Sequence, residues 1–289
     1  MDQQKKPYSE TSTLHHSPEE FELLKKQVYA LLGFNTLQYK DSYLKRRFNA
    51  RLRMLHLSDY QAYLEVLKRD KEEQERLLRD LTINVTEFFR DNTVYRVFQE
   101  EVLPKILNQK PGRIHIWSAG CSDGKEAYSI AMIAVKQLGE EEASKRIDIL
   151  ATDIDKECIQ KGICGVYESR PGITQTDIEK QLLFIGTPHR FFDIQDNIYK
   201  VKPSIRRLVK FQYHDLISGP KKKGFDIIFC RNVVIYFKKE LQERLFMDYY
   251  NALNPGGFFI MGKTETLVGK ARELFIPYNS KERVFIKDH

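Results

Sequence analysis

The sequence predicts an α/β protein: a mostly parallel sheet closed by a C-terminal antiparallel hairpin, carrying a small antiparallel β insert and preceded by an all-α domain. Three observations predict it. After residue 84, short apolar runs alternate with amphipathic helical stretches, as in a parallel sheet covered on both faces. Before that point, residues 17–83 show only helical periodicity. And IHIWSAGCSDGKEAYSIAM, residues 114–132, reads as buried strand, glycine turn and helix, the unit on which α/β proteins hold nucleotide-like ligands.

In chain order, residues 1–16 are polar and predict a flexible tail. Ser17-Pro18-Glu19-Glu20 starts the first helix, with a capping hydroxyl, a proline in the first turn and acids at the positive end of the dipole. A second helix covers 41–55, with Leu44, Phe48, Leu52 and Leu55 on its apolar face. Ser58-Asp59 caps a third. RDKEEQERLLRDLTINVTEFFRD follows as a charged helix whose first half reads as a solvated connector. Strands are predicted at 113–117, 147–152, 208–213, 226–230 and 258–262, with helices at 124–138 and 239–253. Segments 273–277 and 283–287 form the closing hairpin. Two short strands, 190–194 and 197–201, around Asp196-Asn197 make the insert, about residues 188–204. The predicted domains are therefore 17–83 and 84–289.

Of the 289 residues, 42% are hydrophobic and 30% charged, which fits a soluble protein with a real core. No apolar run approaches the roughly 20 residues needed to cross a bilayer. The polar N-terminus has no apolar signal core, so a cytosolic protein is expected. Four cysteines, Cys121, Cys158, Cys164 and Cys230, form no C-x-x-C pair and read as reduced thiols. The net charge of +7 points to an acidic partner: nucleic acid, membrane or acidic protein.

The glycine turn, Gly120-x-x-x-Gly124, matches neither the dinucleotide nor the P-loop pattern. Asp123 and Glu126 sit where a pyrophosphate would otherwise lie, and they would repel it. They suit a ligand with cationic groups and no phosphate, and S-adenosylmethionine (SAM) meets that description. The second strand ends in ATDID. Asp153 is placed to accept from ribose hydroxyls, and Asp155 to cap the next helix. Asp215-Leu216 ends the third strand and reads either as an adenine clasp or as a turn. The fourth strand runs from FDIIFC into RNVVIYF, bringing Arg231, Asn232 and Tyr236 to the carboxyl edge. Cys230 ends a buried strand and reads as core. The Asp/Asn-Pro-Pro-aromatic turn of DNA amino-methyltransferases is absent.

NVTEFFRD, SAGCSDGKEAYSIA, ATDID and FCRNVVIYF resemble the chemotaxis receptor methyltransferases, the CheR family, in the family's motif order from about Glu19 to the C-terminus. The resemblance implies a Rossmann-like SAM-dependent methyltransferase that esterifies glutamate side chains of chemoreceptors, leaving S-adenosylhomocysteine and needing no metal. It implies that Asn84, Thr86 and Arg90 close over the cofactor, with Arg90 near the transfer centre. Gly120, Glu126, Asp153, Asp215, Leu216, Arg231 and Asn232 contact the cofactor, and Tyr236 stands beside the acceptor. On a helix, Thr86 and Arg90 would share a face. A glutamate with pKa about 4.3 is already ionised at neutral pH, so no general base is required.

From residue 40 to 56 there are six Lys/Arg and one acid. Lys40, Arg46, Arg47, Arg51 and Arg53 lie off the apolar stripe and read as solvent-facing. The resemblance implies that this helix docks on the receptor's acidic methylation region, with complementary charge speeding encounter. The insert corresponds to the family's β-subdomain. Its turn, FFDIQDNIYK, is short and lacks glycine, so no tight receptor-peptide tether is expected. Nor is nucleic-acid binding or membrane insertion; a monomer recruited to receptor arrays is. Two other readings stand beside this one: a nucleic-acid methyltransferase, and a SAM-binding module without catalysis.

Overall fold

The computed structural model describes residues 17–82, 84–173, 177–220 and 222–288; the tail expected over residues 1–16 lies outside them. The described residues fall in two compact units, one ending at Leu81 and one starting at Thr82.

The first unit is all helical. Helix α1 (Pro18–Leu32) has a full capping box: Glu20 N–H donates to Ser17 Oγ at 3.1 Å, and Ser17 N–H donates to Glu20 Oε2 at 3.2 Å. Helix α2 (Asp41–Met54) buries Leu44, Phe48 and Leu52 of the expected stripe, with Tyr43 beside them, while Leu55 lies just past its end and is half-buried. Asp59 caps α3 (Tyr60–Arg69) by accepting from Ala62 N–H at 2.7 Å.

Two expectations fail here. Helix α4 (Lys71–Leu81) is no solvated connector, because Glu73, Leu77 and Leu81 are buried, and it ends before NVTEFFRD. Arg51 does not face solvent. It is 4% exposed and ion-paired to Glu73, itself 0% exposed, with Nε donating to Oε1 at 2.9 Å. The Tyr63 hydroxyl donates to the same carboxylate at 2.9 Å. A helix bearing cations on all sides must turn one inward, and Glu73 makes that tolerable by neutralising it.

The second unit begins with α5 (Asn92–Val97), a π turn over Phe98–Val102, and α6 (Leu103–Gln109). Pro104 has no N–H to donate, and the chain adapts one residue earlier, where Leu103 N–H reaches back five residues to Phe98 O. Then follow β1 (Ile114–Ala119), α7 (Lys125–Leu138), α8 (Glu140–Arg146), β2 (Ile147–Asp153), α9 (Lys156–Cys164) and β3 (Val166–Glu168). Next come α10 (Ile178–Gln181), β4 (Phe192–Gln195), β5 (Ile198–Val201), α11 (Pro203–Arg206) and β6 (Val209–Tyr213). The chain ends with β7 (Phe225–Cys230), α12 (Lys239–Ala252), β8 (Leu253–Met261), α13 (Ala271–Leu274), β9 (Phe275–Asn279) and β10 (Val284–Lys287).

Seven strands form one sheet in the order β6-β2-β1-β7-β8-β10-β9. The first five are parallel, and β10 enters antiparallel between β8 and β9. β1 and β7 carry residues buried on both faces, so they read as continuous apolar runs rather than alternating ones. The order reverses at β1, whose neighbours are β2 and β7. That switch point opens a crevice at the carboxyl ends of the strands. The small sheet, β3-β5-β4, has one strand more than the sequence indicated. β3 is three residues long, too short to show a period, and pairs with β5 through Tyr167 opposite Tyr199.

Candidate active site

The carboxyl ends of β1, β2, β6 and β7 converge on the glycine turn. Gly120 leaves β1 at φ 79°, in the left-handed region, and its N–H donates to Thr152 O of β2 at 2.8 Å. A Cβ there would lie 2.5 Å from Val233 Cγ2, so only glycine lets the β7 loop approach. Ser122 N–H donates to Asp153 Oδ2 at 2.8 Å, and its hydroxyl donates to Asn84 O at 3.1 Å. The turn thus carries the NVTEFFRD segment against the end of β2.

Asp153 is buried, and its Oδ1 accepts from Asp155 N–H at 2.9 Å. Burial pushes its carboxyl above the usual range, although the backbone N–H groups of Asp155 and Ser122 pull the other way. Asp155 takes the capping role expected of it, accepting from Glu157 and Cys158 N–H at 2.8 and 3.0 Å. Its other oxygen accepts from the Thr82 hydroxyl at 2.9 Å and the Asn84 amide at 2.6 Å. A helix cap therefore also fixes Asn84.

Glu126, in the first turn of α7, is 7% exposed. It accepts from Ser118 Oγ at 2.8 Å and faces Arg231 Nη1 at 3.5 Å. Burial pushes its carboxyl up, against the pull of Arg231. Asp123 behaves differently from the sequence expectation. Lys125 pairs with it, and Lys125 Nζ also lies 4.9 Å from the centre of the Tyr167 ring. Each acid of this turn therefore has a cation beside it, Lys125 at Asp123 and Arg231 at Glu126, which offsets part of the charge expected to repel phosphate.

Arg231 is the hub. Its Nη2 donates to Arg90 O and to Asp91 Oδ2, both at 2.9 Å. Its Nε is buried and has no hydrogen-bond partner among the described residues. Arg90 Nη1 donates to Val85 O at 3.1 Å, because NVTEFFRD is a loop that curls on itself and not the helix expected. The shared helical face for Thr86 and Arg90 fails with it. Phe89 and Asp91 sit at φ 52° and 56°, conformations that a helix would not allow. Such strained non-glycine backbone clusters at functional sites.

Asp215 caps the turn Leu216–Ser218 by accepting from Ile217 N–H at 2.9 Å, so one oxygen of the expected adenine clasp is already used. Leu216 is buried. Thr86 and Tyr236 are both half-buried, Tyr236 closing the 3-10 turn Val234–Tyr236. The Cys230 thiol lies 3.2 Å from Tyr249 Oη within the core, as expected of a structural cysteine.

The sequence reading missed two residues, Ser118 and Glu265. Ser118 is a buried polar residue one position before the end of β1, in an otherwise apolar run that gives its hydroxyl no partner nearby in sequence. Glu265 is an acid four residues past the end of β8, where the carboxyl ends gather.

The donor set fits SAM: two buried acids for its ammonium and ribose hydroxyls, and two guanidinium groups for its carboxylate, one with an unpartnered buried nitrogen. Fold and site together define a SAM-dependent methyltransferase. Residues 84–284 match the family described as CheR methyltransferase, SAM binding domain, and residues 19–82 match its all-alpha domain. The chain belongs to the CheR methyltransferase family. The chemotaxis protein methyltransferase of Listeria monocytogenes is 30% identical over 240 residues, 83% of this chain and 87% of that protein. That of Klebsiella aerogenes is 31% identical over 266 residues, 89% of this chain and 86% of its own length. A solved SAM-dependent methyltransferase from Methanosarcina mazei is similar at 15% identity, over 64% of this chain and 77% of that one, with a TM-score of 0.32. Among the described residues, no helix is long and apolar enough to cross a membrane.

Proposed function

We propose that this enzyme methylates glutamate side chains in the cytoplasmic helical region of chemoreceptors, giving methyl esters for sensory adaptation. The observation that carries the reading is the Arg90–Arg231–Glu126 cluster beside Asp153, in a chain of this family. SAM, when bound, supplies an electrophilic methyl group on a sulfonium. Glu126 holds its ammonium, Asp153 its ribose, and Asp215 with Leu216 its adenine; Asn84, Thr86, Arg231 and Asn232 complete the cradle. Arg90 orients the cofactor carboxylate or the incoming glutamate, and Tyr236 donates a hydrogen bond to that glutamate. The acceptor is already anionic, so the protein's task is to exclude water and hold nucleophile and methyl collinear.

In this reading the exposed Lys40, Arg46 and Arg53 meet the receptor's acidic surface. Arg47, whose guanidinium packs 5.7 Å from the Tyr43 ring centre, adds to the edge of that surface. Arg51 is withdrawn from it. The enzyme works as a cytoplasmic monomer recruited to receptor arrays, without a tight grip on a receptor tail peptide.

Incubation with methyl-labelled SAM and receptor-bearing membranes tests the reading. Label in receptor protein that mild base releases supports it. Label in added RNA or DNA would replace it with nucleic-acid methylation, and SAM binding without transfer would leave a regulatory module.

A further inference from the structure

Glu265 is a buried carboxylate, 2% exposed, that the reading above does not use. It accepts four backbone N–H groups. Oε2 takes Asn232 at 3.0 Å and Gly262 at 2.7 Å; Oε1 takes Val233 at 2.9 Å and Val234 at 3.0 Å. Three consecutive N–H groups point inward because Asn232 is left-handed, at φ 60°, and Val233 returns to φ −114°, ψ −51°. That alternation makes a backbone nest, a concavity that binds anions. A carboxylate offers about four lone-pair sites, and here all are filled. The fit extends to Gly262, where a Cβ would lie 2.7 Å from Oε2 and 2.8 Å from Asn232 N.

Three of the four clasped residues, Asn232, Val233 and Val234, lie between Arg231 and Tyr236, and Val233 is the side chain that closes on Gly120 of the cofactor turn. One internal anion therefore sets the shape of the β7 loop and presses it onto the cofactor side of the site. We infer that Glu265 is a positioning residue for methyl transfer, an internal anion that holds the Arg231–Tyr236 turn in its transfer-competent form. The inference rests on the roles given above to Arg231, Asn232 and Tyr236. Glu265 acts through their backbone.

Glu265→Ala leaves an empty nest that a small carboxylate fits, and formate is the probe. SAM affinity, read by calorimetry, falls about tenfold with loss of the charged hydrogen bonds. Turnover on receptor falls by up to about a hundredfold as reacting groups shift. Well below the variant's own Tm, where its fold is intact, formate restores both saturably, whereas chloride at equal ionic strength does not. Wild-type SAM affinity in Glu265→Ala, or a loss that formate leaves unrepaired, overturns the inference. Should that variant not fold, Glu265→Gln keeps the volume and sets an amide N–H2 against backbone donors. It loses SAM affinity well below its own Tm, and wild-type affinity there would equally overturn the inference. If the native enzyme transfers no methyl to receptor, the acceptor reading fails, and the SAM-affinity arm still judges Glu265.

Discussion

Arg231 Nη1 and Glu126 Oε2 face each other at 3.5 Å, joining the loop after β7 to the first turn of α7 as a buried ion pair. The same guanidinium holds Arg90 O and Asp91 Oδ2. One side chain thus ties together three segments that are far apart in the chain.

Glu126→Gln should weaken SAM binding by about ten- to a hundredfold, the worth of one or two charge-assisted hydrogen bonds. Arg231 keeps Asp91 as a partner, so the fold should persist by circular dichroism. Calorimetry showing wild-type affinity would remove Glu126 from the cofactor site.

SAM affinity should fall early as pH drops from neutral toward the usual carboxylate range. Burial raises the carboxyls of Asp153 and Glu126, so they protonate before exposed acids do. Stability responds with the opposite sign. A raised folded pKa means that ionisation of these two groups opposes folding above their folded values, and the penalty eases as pH falls through them. Calorimetry and thermal unfolding of the ligand-free enzyme across this window check both signs. Affinity that stays flat until exposed acids titrate would contradict the burial argument.

Asp155→Ala should cost about 1–2 kcal/mol by loss of the α9 cap, and it should also weaken SAM binding by releasing Asn84. Burial pushes the Asp155 carboxyl up, but the N–H of Cys158, the Thr82 hydroxyl and the Asn84 amide outweigh it and hold it below the usual range. Its contribution is therefore present above the unfolded value and lost as pH falls through the folded one. Urea unfolding at neutral pH and near the acid limit reads the difference.

Arg51→Ala should destabilise the helical unit by about 3–5 kcal/mol, because it strands a buried Glu73. Charge reversal at Arg46 and Arg53, both exposed, should leave Tm within a degree or two while slowing receptor methylation at low salt. Unaltered methylation would end the docking proposal.

The parallel sheet was legible because its strands are buried on both faces and its turns are punctuated by glycine and acid. β1, β2, β6 and β7 start or stop within two residues of their expected bounds. Glu126, Asp153 and Arg231 were legible because a charge beside a buried strand end needs a reason. Other features depended on what a local pattern cannot encode. Arg51 looks like any helical arginine until Glu73, 22 residues on, is packed against it. NVTEFFRD continues a helical stretch with no glycine or proline to stop it, but contacts from Ser122, Asp155 and Arg231 hold it as a loop. Glu265 satisfies backbone groups some 30 residues earlier, and backbone N–H groups leave no mark in a sequence.

Tandem mass spectrometry of receptor protein after turnover with SAM decides whether glutamate is the methyl acceptor. One methyl group of added mass is expected on glutamate side chains of the receptor's helical region, lost on mild alkaline treatment and sharply reduced with Tyr236→Phe. Methylation confined to lysine, arginine or nucleic acid, or a Tyr236→Phe enzyme as fast as the native one, would contradict it.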